Sequence, residues 1–267
     1  METNAKVILH SVSEEGKQIV TFELTYPRFI HGEVMTHRVF SRNAMSSRAI
    51  PVAKMIEQVR TNPAMPVHWG ANQSGMQAHA EVKDKARAVM LWAEAAKSAC
   101  EYAEKLVFLG LHKQIANRIL EPFQWMRTIV TSTEWDNFFE LRAHPDAQPE
   151  FQDLAYRMQA VLENSKPVLR KFGEWHLPYL TDNEAYGGDT PLDILQKCSA
   201  ARCARVSYLT HDGQNPSQEK DIALFDRLAA SRPLHASPLE HIATPGDTNT
   251  GNFQGWTQFR KLWEKTV

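Results

Sequence analysis

The sequence predicts an α+β fold, rich in helix, with a small mixed or antiparallel sheet. Three observations carry this. Val20, Phe22 and Leu24 alternate with Thr21, Glu23 and Thr25, the period of a half-buried strand. Between 76 and 109, Val82, Ala86, Val89, Ala93, Ala96, Cys100, Ala103 and Val107 recur at helical spacing. Helical patterns outnumber strand patterns along the rest of the chain, which has no internal repeat.

Residues 5–11 and 18–26 read as two strands, the second ended by Pro27, which lacks the ladder N–H. A helix over 29–39 leads into an exposed loop at 40–51, closed by Pro51. A short helix follows at 52–60, and the Pro- and Gly-rich stretch 62–75 is irregular. The long helix 76–109 stops at Gly110. A shorter helix covers 112–120, and 126–131 is a strand. Thr133-x-x-Asp136 has the form of a capping box opening a helix through Arg142. Pro149 stands at a first helical position, and Phe151, Leu154, Ala155, Met158, Val161, Leu162, Val168, Leu169 and Phe172 mark an apolar face that Pro167 kinks or divides. Residues 173–189 are the best internal boundary. Thr190-Pro191-x-Asp193 opens a helix reaching about 207, 211–218 is a loop, and 219–230 is another helix. The tail 235–261 is polar and aromatic, with a Gly/Thr loop at 244–251 that lacks the P-loop pattern.

A chain of 267 residues can be one large domain or two small ones; the reading favoured here is a single domain over 1–267. The net charge of -1 lacks the basic excess of proteins that live on nucleic-acid backbone. No apolar run is long enough to span a membrane, and the N-terminus lacks the apolar core of a signal peptide. Cys100, Cys198 and Cys203 are odd in number and lack CxxC spacing, so they read as packing residues of a cytoplasmic protein. There is no Gly-x-Ser-x-Gly elbow, no His-Glu-x-x-His and no Rossmann fingerprint, and no metal site is expected.

What remains are polar clusters. Residues 36–48 hold His37, three Arg, Asn43 and three Ser, interleaved with the apolar Val39, Phe40 and Met45. Fixed cations and hydrogen-bond donors suit an anionic partner with planar polar edges, and the apolar anchors are more than a solvated turn needs. Further clusters lie around Asn137 and Arg142, at 205–207, and at 235–241. Taken singly, Arg142 reads as a salt-bridged helix residue, and Arg205 with Ser207 as an ordinary helix C-terminus.

Together they resemble one family. His37-Arg38-x-x-Ser41-x-Asn43-x-x-Ser46-x-Arg48 resembles the signature of the flavin-dependent thymidylate synthases (ThyX), R-H-R-x-x-S-x-N-x-x-S-x-R. Asn137-Phe-Phe-Glu-Leu-Arg142 through Gln148 resembles the family's N-F-L-x-L-R-x-x-x-x-A-Q helix. The segments 201–208 and His235-Ala-Ser237-Pro238-Leu-Glu240-His241 are similar to its A-A-R-V-S-Y/F and H-x-T/S-P-F/L-E-H. In the family the last two elements come first, so the chain resembles a circular permutation of the ThyX fold, with its junction in 173–189.

The resemblance implies a homotetramer with sites at subunit interfaces. It implies FAD as cofactor, 5,10-methylenetetrahydrofolate as one-carbon donor, NADPH as reductant and dUMP as acceptor. It places His37, Arg38, Ser41, Asn43, Asn137, Ser207, His235 and Ser237 at the cofactor. It places Glu33, Ser46, Arg48, Arg118 and Arg142 at the nucleotide, with Ser46 and Arg142 the catalytic pair. Thr36 replaces the first Arg of R-H-R, Ala44 replaces the usual Glu, and Glu33 stands where the family often has Gln. These changes bear on the exact nucleotide more than on the flavin. Arg260, in a segment that echoes Q-W-F-R-H-R, is a candidate to supply the missing guanidinium. The activity implied is thymidylate synthesis; the alternatives are a pyrimidine-nucleotide hydroxymethylase, or a nucleotide-binding relative without catalysis.

Overall fold

The computed structural model describes residues 1–208, 217–231, 235–246 and 250–265. The chain opens with two long antiparallel strands, β1 (Asn4–Ser13) and β2 (Gln18–Pro27), joined by a turn in which Gly16 takes φ 77°. The sheet is completed by β3 (Ser41–Ala44), β4 (Trp125–Ser132) and β5 (Val168–Arg170) in the order β3-β4-β2-β1-β5. Only the β1–β5 pair is parallel, so the sheet is mixed, as the sequence predicts.

Pairing fixes which side chains share a face. Thr21, Glu23 and Thr25 lie opposite Thr131, Ile129 and Arg127, while Phe22, Leu24 and Tyr26 lie opposite Val130, Thr128 and Met126. One face is therefore apolar. It packs against α2 (Val52–Thr61), α3 (Lys85–Phe108), α5 (Asp136–Arg142) and α6 (Pro149–Glu163) to form the main core, with Phe22, Tyr26 and Phe151 fully buried. A bulge between Val7 and Leu9 switches β1 from one face to the other.

The second face is polar, and it is not solvated. The described residues between 175 and 263 cover it with a separate apolar cluster of Trp175, Leu195, Leu224, Phe225, Leu239 and Phe259. A buried hydrogen-bond chain joins the two layers. His176 Nδ1 lies 2.8 Å from Ser11 Oγ and its Nε2 lies 2.8 Å from Thr21 Oγ1. Thr21 Oγ1 meets Thr131 Oγ1 at 2.7 Å, and Thr131 Oγ1 meets His241 Nδ1 at 2.8 Å. The covering layer is built from α7 (Asp182–Tyr186), α8 (Leu192–Arg205), α9 (Gln218–Ala229), the hairpin β6 (Ala243–Pro245) with β7 (Trp256–Gln258), and α10 (Phe259–Trp263). Buried Asp221 on α9 accepts from Arg202 and Arg205 on α8.

Several boundaries differ from the sequence expectation. The helix over 29–39 is a 3-10 turn and one α turn, α1 (His31–Val34), because Thr36 Oγ1 donates to Glu33 O and redirects the chain. The loop at 40–51 contains β3. The long helix starts at Lys85, where Asp84 caps it by accepting from Arg87 N. Residues 112–120 form α4 (Lys113–Ala116) and a 3-10 segment. The capping box at 133–136 does not form: Thr133 Oγ1 accepts from Gln254 N instead, and α5 begins after Trp135. Residues 168–170 leave the helical pattern to pair with β1. Pro191 is the N-cap of α8 rather than its first residue, and Thr190 does not cap it. The boundary segment 173–189 carries α7, with a capping box of Thr181 and Glu184. The three cysteines are buried and free. Most of the loop expected at 211–218, and the middle of the Gly/Thr loop, lie outside the described residues.

Replacing His176 by Phe keeps the ring but strands the Ser11 hydroxyl and takes from Thr21 one of its two partners. Leaving buried polar groups unpaired costs about 2–4 kcal/mol, which for a chain of this size lowers the thermal midpoint by roughly 5–15 °C. Circular dichroism on the variant checks this; an unchanged midpoint would show that the chain does not join the layers.

Candidate active site

Two polar groups flank β3, and a third lies against it. The first is built around Arg142, in the last turn of α5, where a cation is favoured by the helix dipole. Its Nε donates to His37 Nε2 at 3.0 Å, and its Nη2 donates to Thr36 Oγ1 at 3.4 Å. Its Nη1 lies 3.6 Å from Glu33 Oε2, and the guanidinium carbon stands 4.6 Å from the centre of the Phe151 ring. His37 is 7% exposed, stacked on Phe40 and edge-on to Phe138 and Phe151. Burial, with the cations Arg142 and Arg42 nearby, pushes its pKa down to about 4. The neutral ring can then offer Nε2 as an acceptor. Burial raises the Glu33 carboxyl above its ordinary value against the pull of Arg142. Arg42 Nη1 donates to the Met35 and His37 carbonyls at 2.9 and 3.0 Å and fixes the turn before β3.

The second group follows β3. The loop 46–50 is braced from below: Asn117 Nδ2 donates to Ser47 O at 2.7 Å and Ile50 O at 3.0 Å, and Lys113 Nζ donates to Ala49 O at 3.1 Å. Glu121 takes Arg28 at 2.7 Å, Arg118 at 2.8 Å and the Ser47 hydroxyl at 3.2 Å. Ser46 N donates to Ser207 O at 3.2 Å, which ties the start of this loop to the end of α8. Arg48 is exposed and has no hydrogen bond or ion pair among the described residues. A rigid loop carrying a hydroxyl and an unpaired guanidinium is suited to a phosphate.

The third group joins β3 to the C-terminal segment. Ser41 Oγ accepts from Gln258 Nε2 and Asn252 Nδ2, both at 3.2 Å, and Asn252 Nδ2 also donates to Val39 O at 2.7 Å. Ser41 is 1% exposed and Asn43 is buried beside it on the polar face. Arg260 pairs with Glu240 and Glu264. Among the described residues no hydrogen bond or ion pair joins Arg260 to Thr36 or Arg48. Arg38, His235 and Ser237 are exposed, and Ser207 is half-buried.

Asn137 opens onto a cavity of about 850 Å³ between the start of β2 and α5, lined also by Thr133, Trp135, Phe139 and Gln254. Aromatic rings and amides suit the ring end of a flavin. Glu134, Asp136 and Glu163 against a single Lys17 do not suit a diphosphate. In these respects the residues present fit a flavin.

The family model of the thymidylate synthase complementing proteins matches residues 10–168. The chain belongs to that family. It is the ThyX family that the motifs resemble, and the match covers the first two of them. No curated protein sequence matches the chain significantly. Among solved structures, the UMP/dUMP methylase PolB from Streptomyces cacaoi bound with 5-Br dUMP is similar, with a TM-score of 0.50, 16% identity, and coverage of 63% of this chain and 91% of that one. The same methylase bound with 5-Br UMP gives 0.49, 17%, 63% and 90%. At this identity the likeness is one of fold.

Spatially, the structure brings 205–208 and 237–241 against β3, although they are far away in sequence. Glu33, His37 and Arg142 converge, as do Ser46 and Arg118 with the loop of Arg48. Sequence reasoning missed Arg42, Asn252 and Gln258 as supports. Arg42 lies inside the first motif and Asn252 and Gln258 inside the Q-W-F-R-H-R echo, so the signal was present but pointed only to its ends.

The buried imidazoles bear on stability. His31, held at about 4 by burial and by Arg28 and Arg42, and His241, held at about 3 by burial, join His37 and His176, whose pKa also lies well below 6.5. In the unfolded chain all four protonate near 6.5, so the folded state binds fewer protons and loses stability as pH falls. Urea midpoints should drop steadily between pH 6.5 and 5, above the carboxylate range. A flat profile there would mean that these rings titrate normally in the fold.

Proposed function

We propose that the chain is a flavin-dependent thymidylate synthase, which moves a one-carbon unit from 5,10-methylenetetrahydrofolate to C5 of dUMP and reduces it to the methyl of dTMP. The observation that carries this reading is the unpaired Arg48 beside Ser46 on a braced loop, in a chain of this family. Ser46 and Arg48 take the nucleotide phosphate, with Arg118 nearby. Arg142 and Glu33 face the base, where a fixed guanidinium stabilises negative charge developing on the ring. A bound FAD would supply the hydride for the reduction, with NADPH as the source of its electrons. Asn137, with the cavity beside it, holds the ring end, Arg38, Ser207 and Ser237 the phosphate and adenosine end, and His235 borders the folate.

The two nucleotide-facing groups lie at opposite ends of β3, whose four residues alone span roughly 13 Å. This supports a site completed by a second copy, as in a homotetramer. An unpartnered apolar surface on and after α3, including Tyr102, Phe108 and Leu109 with Ile115 and Ile119 beside Arg118, is a surface for that contact. On this reading the chain is one domain whose order is permuted at 173–189, and it works in the cytoplasm. No helix among the described residues is long and apolar enough to cross a membrane.

The protein should bind added FAD with a flavin absorbance spectrum, and release tritium from 5-labelled dUMP when given methylenetetrahydrofolate and NADPH. A product heavier than dUMP by a methyl group supports the synthase. A hydroxymethyl product would replace it with the hydroxymethylase, and failure to take up FAD would leave a nucleotide-binding relative. Arg48→Ala should weaken dUMP binding by roughly tenfold or more, the loss expected for one charge-assisted phosphate contact. If Arg260→Ala leaves affinity unchanged, Arg260 is not the replacement for the family's missing Arg.

A further inference from the structure

Among the described residues, every polar contact that Arg142 makes is to the stretch that precedes β3. Its Nε is spent on His37, one Nη2 hydrogen is spent on Thr36, and its plane rests on Phe151. Thr36 itself is locked, because its hydroxyl donates to Glu33 O at 2.6 Å and so presents a lone pair to Arg142. The His37 ring is fixed by three aromatic neighbours, and its backbone carbonyl is fixed by Arg42. A guanidinium has five N–H donors in a rigid fork. With Nε and one Nη2 hydrogen held, the Nη1 edge is left beside the Glu33 carboxylate, 3.6 Å from its Oε2, on a side chain that keeps 21% of its surface exposed.

We propose that His37 and Thr36 are positioning residues for Arg142. They act on the nucleotide only through that guanidinium, and Thr36 fills this role because a threonine, unlike an arginine at the same place, accepts from a cation. The inference rests on the nucleotide site described above. It gives His37 a task distinct from the flavin contact implied by the resemblance, since a ring 7% exposed with Nε2 engaged has little left to offer a ligand. At residue 36, where the family signature has an arginine that can only donate, a hydroxyl accepts from Arg142.

The test is a double-mutant cycle on dUMP affinity, measured by calorimetry with FAD present. His37→Phe keeps the aromatic packing and removes the acceptor, while His37→Gln sacrifices the ring but returns an acceptor near the Nε2 position. Thr36→Val and Thr36→Ser make the same contrast at the second contact. His37→Phe is expected to weaken dUMP binding by about tenfold, the cost of one hydrogen bond to a charged group, and His37→Gln to restore most of it, even if its thermal midpoint is the lower of the two. Thr36→Val is expected to weaken binding by about threefold, in keeping with its longer contact, and Thr36→Ser to keep wild-type affinity. In an Arg142→Ala background, His37→Phe and Thr36→Val should cost nothing further. Additive losses in that background, or His37→Gln binding no better than His37→Phe, would overturn the proposal while leaving the nucleotide site intact. A wild-type protein that binds neither dUMP nor UMP would instead overturn the nucleotide reading, and this inference with it.

Discussion

His176 stands between Ser11 and Thr21 with both ring nitrogens engaged, and the contact passes through Thr131 to His241. These hydroxyls lie on the sheet face opposite the main apolar core. Such a face, removed from water, needs partners for its polar groups. His176 and His241 supply them for Ser11, Thr21 and Thr131, and the layer that carries them has an apolar cluster of its own. The sheet is thus a shared wall with oily packing on one side and a hydrogen-bonded seam on the other. The seam is directional where oily packing is not, so it fixes how the C-terminal layer sits.

The placement of that layer determines what surrounds β3. His241 is anchored on Thr131, and Gln258 reaches both Ser41 and the Glu240 carbonyl. The end of α8 meets the start of the 46–50 loop through Ser46 and Ser207. Segments separated by about two hundred residues therefore border one short edge strand. Arg38, Arg48, His235 and Ser237 remain exposed after this internal pairing. The buried ones, Ser41 and His37, support others.

Much of this was legible in the sequence, and the failures have particular causes. Alternation in 18–26 located β2 and its apolar face, but period two says only that the faces differ. It cannot say that Thr21 and Glu23 meet a second layer instead of water. β3 was invisible because Ser41-Arg42-Asn43-Ala44 has no apolar alternation, and it exists because β4 offers it an edge. Thr133 has the local form of a cap, yet a tertiary donor, Gln254 N, takes its hydroxyl. The polar clusters were legible as four motifs, and the fold brings the segments at 206–208 and 237–241 against β3. Their internal supports were not, because Arg42 or Gln258 alone is an ordinary polar residue until the fold shows which carbonyl it holds.

The proposed site is one arrangement: a nucleotide phosphate on the Ser46–Arg48 loop and a base at Arg142. The most direct measurement is a crystal structure of the protein with FAD and dUMP. The phosphate is expected against Ser46 and Arg48 of one copy, the uracil edge at Arg142 and Glu33 of a neighbouring copy, and the flavin ring beside Asn137. Nucleotide bound elsewhere, with Arg48 and Arg142 both facing solvent, would contradict it.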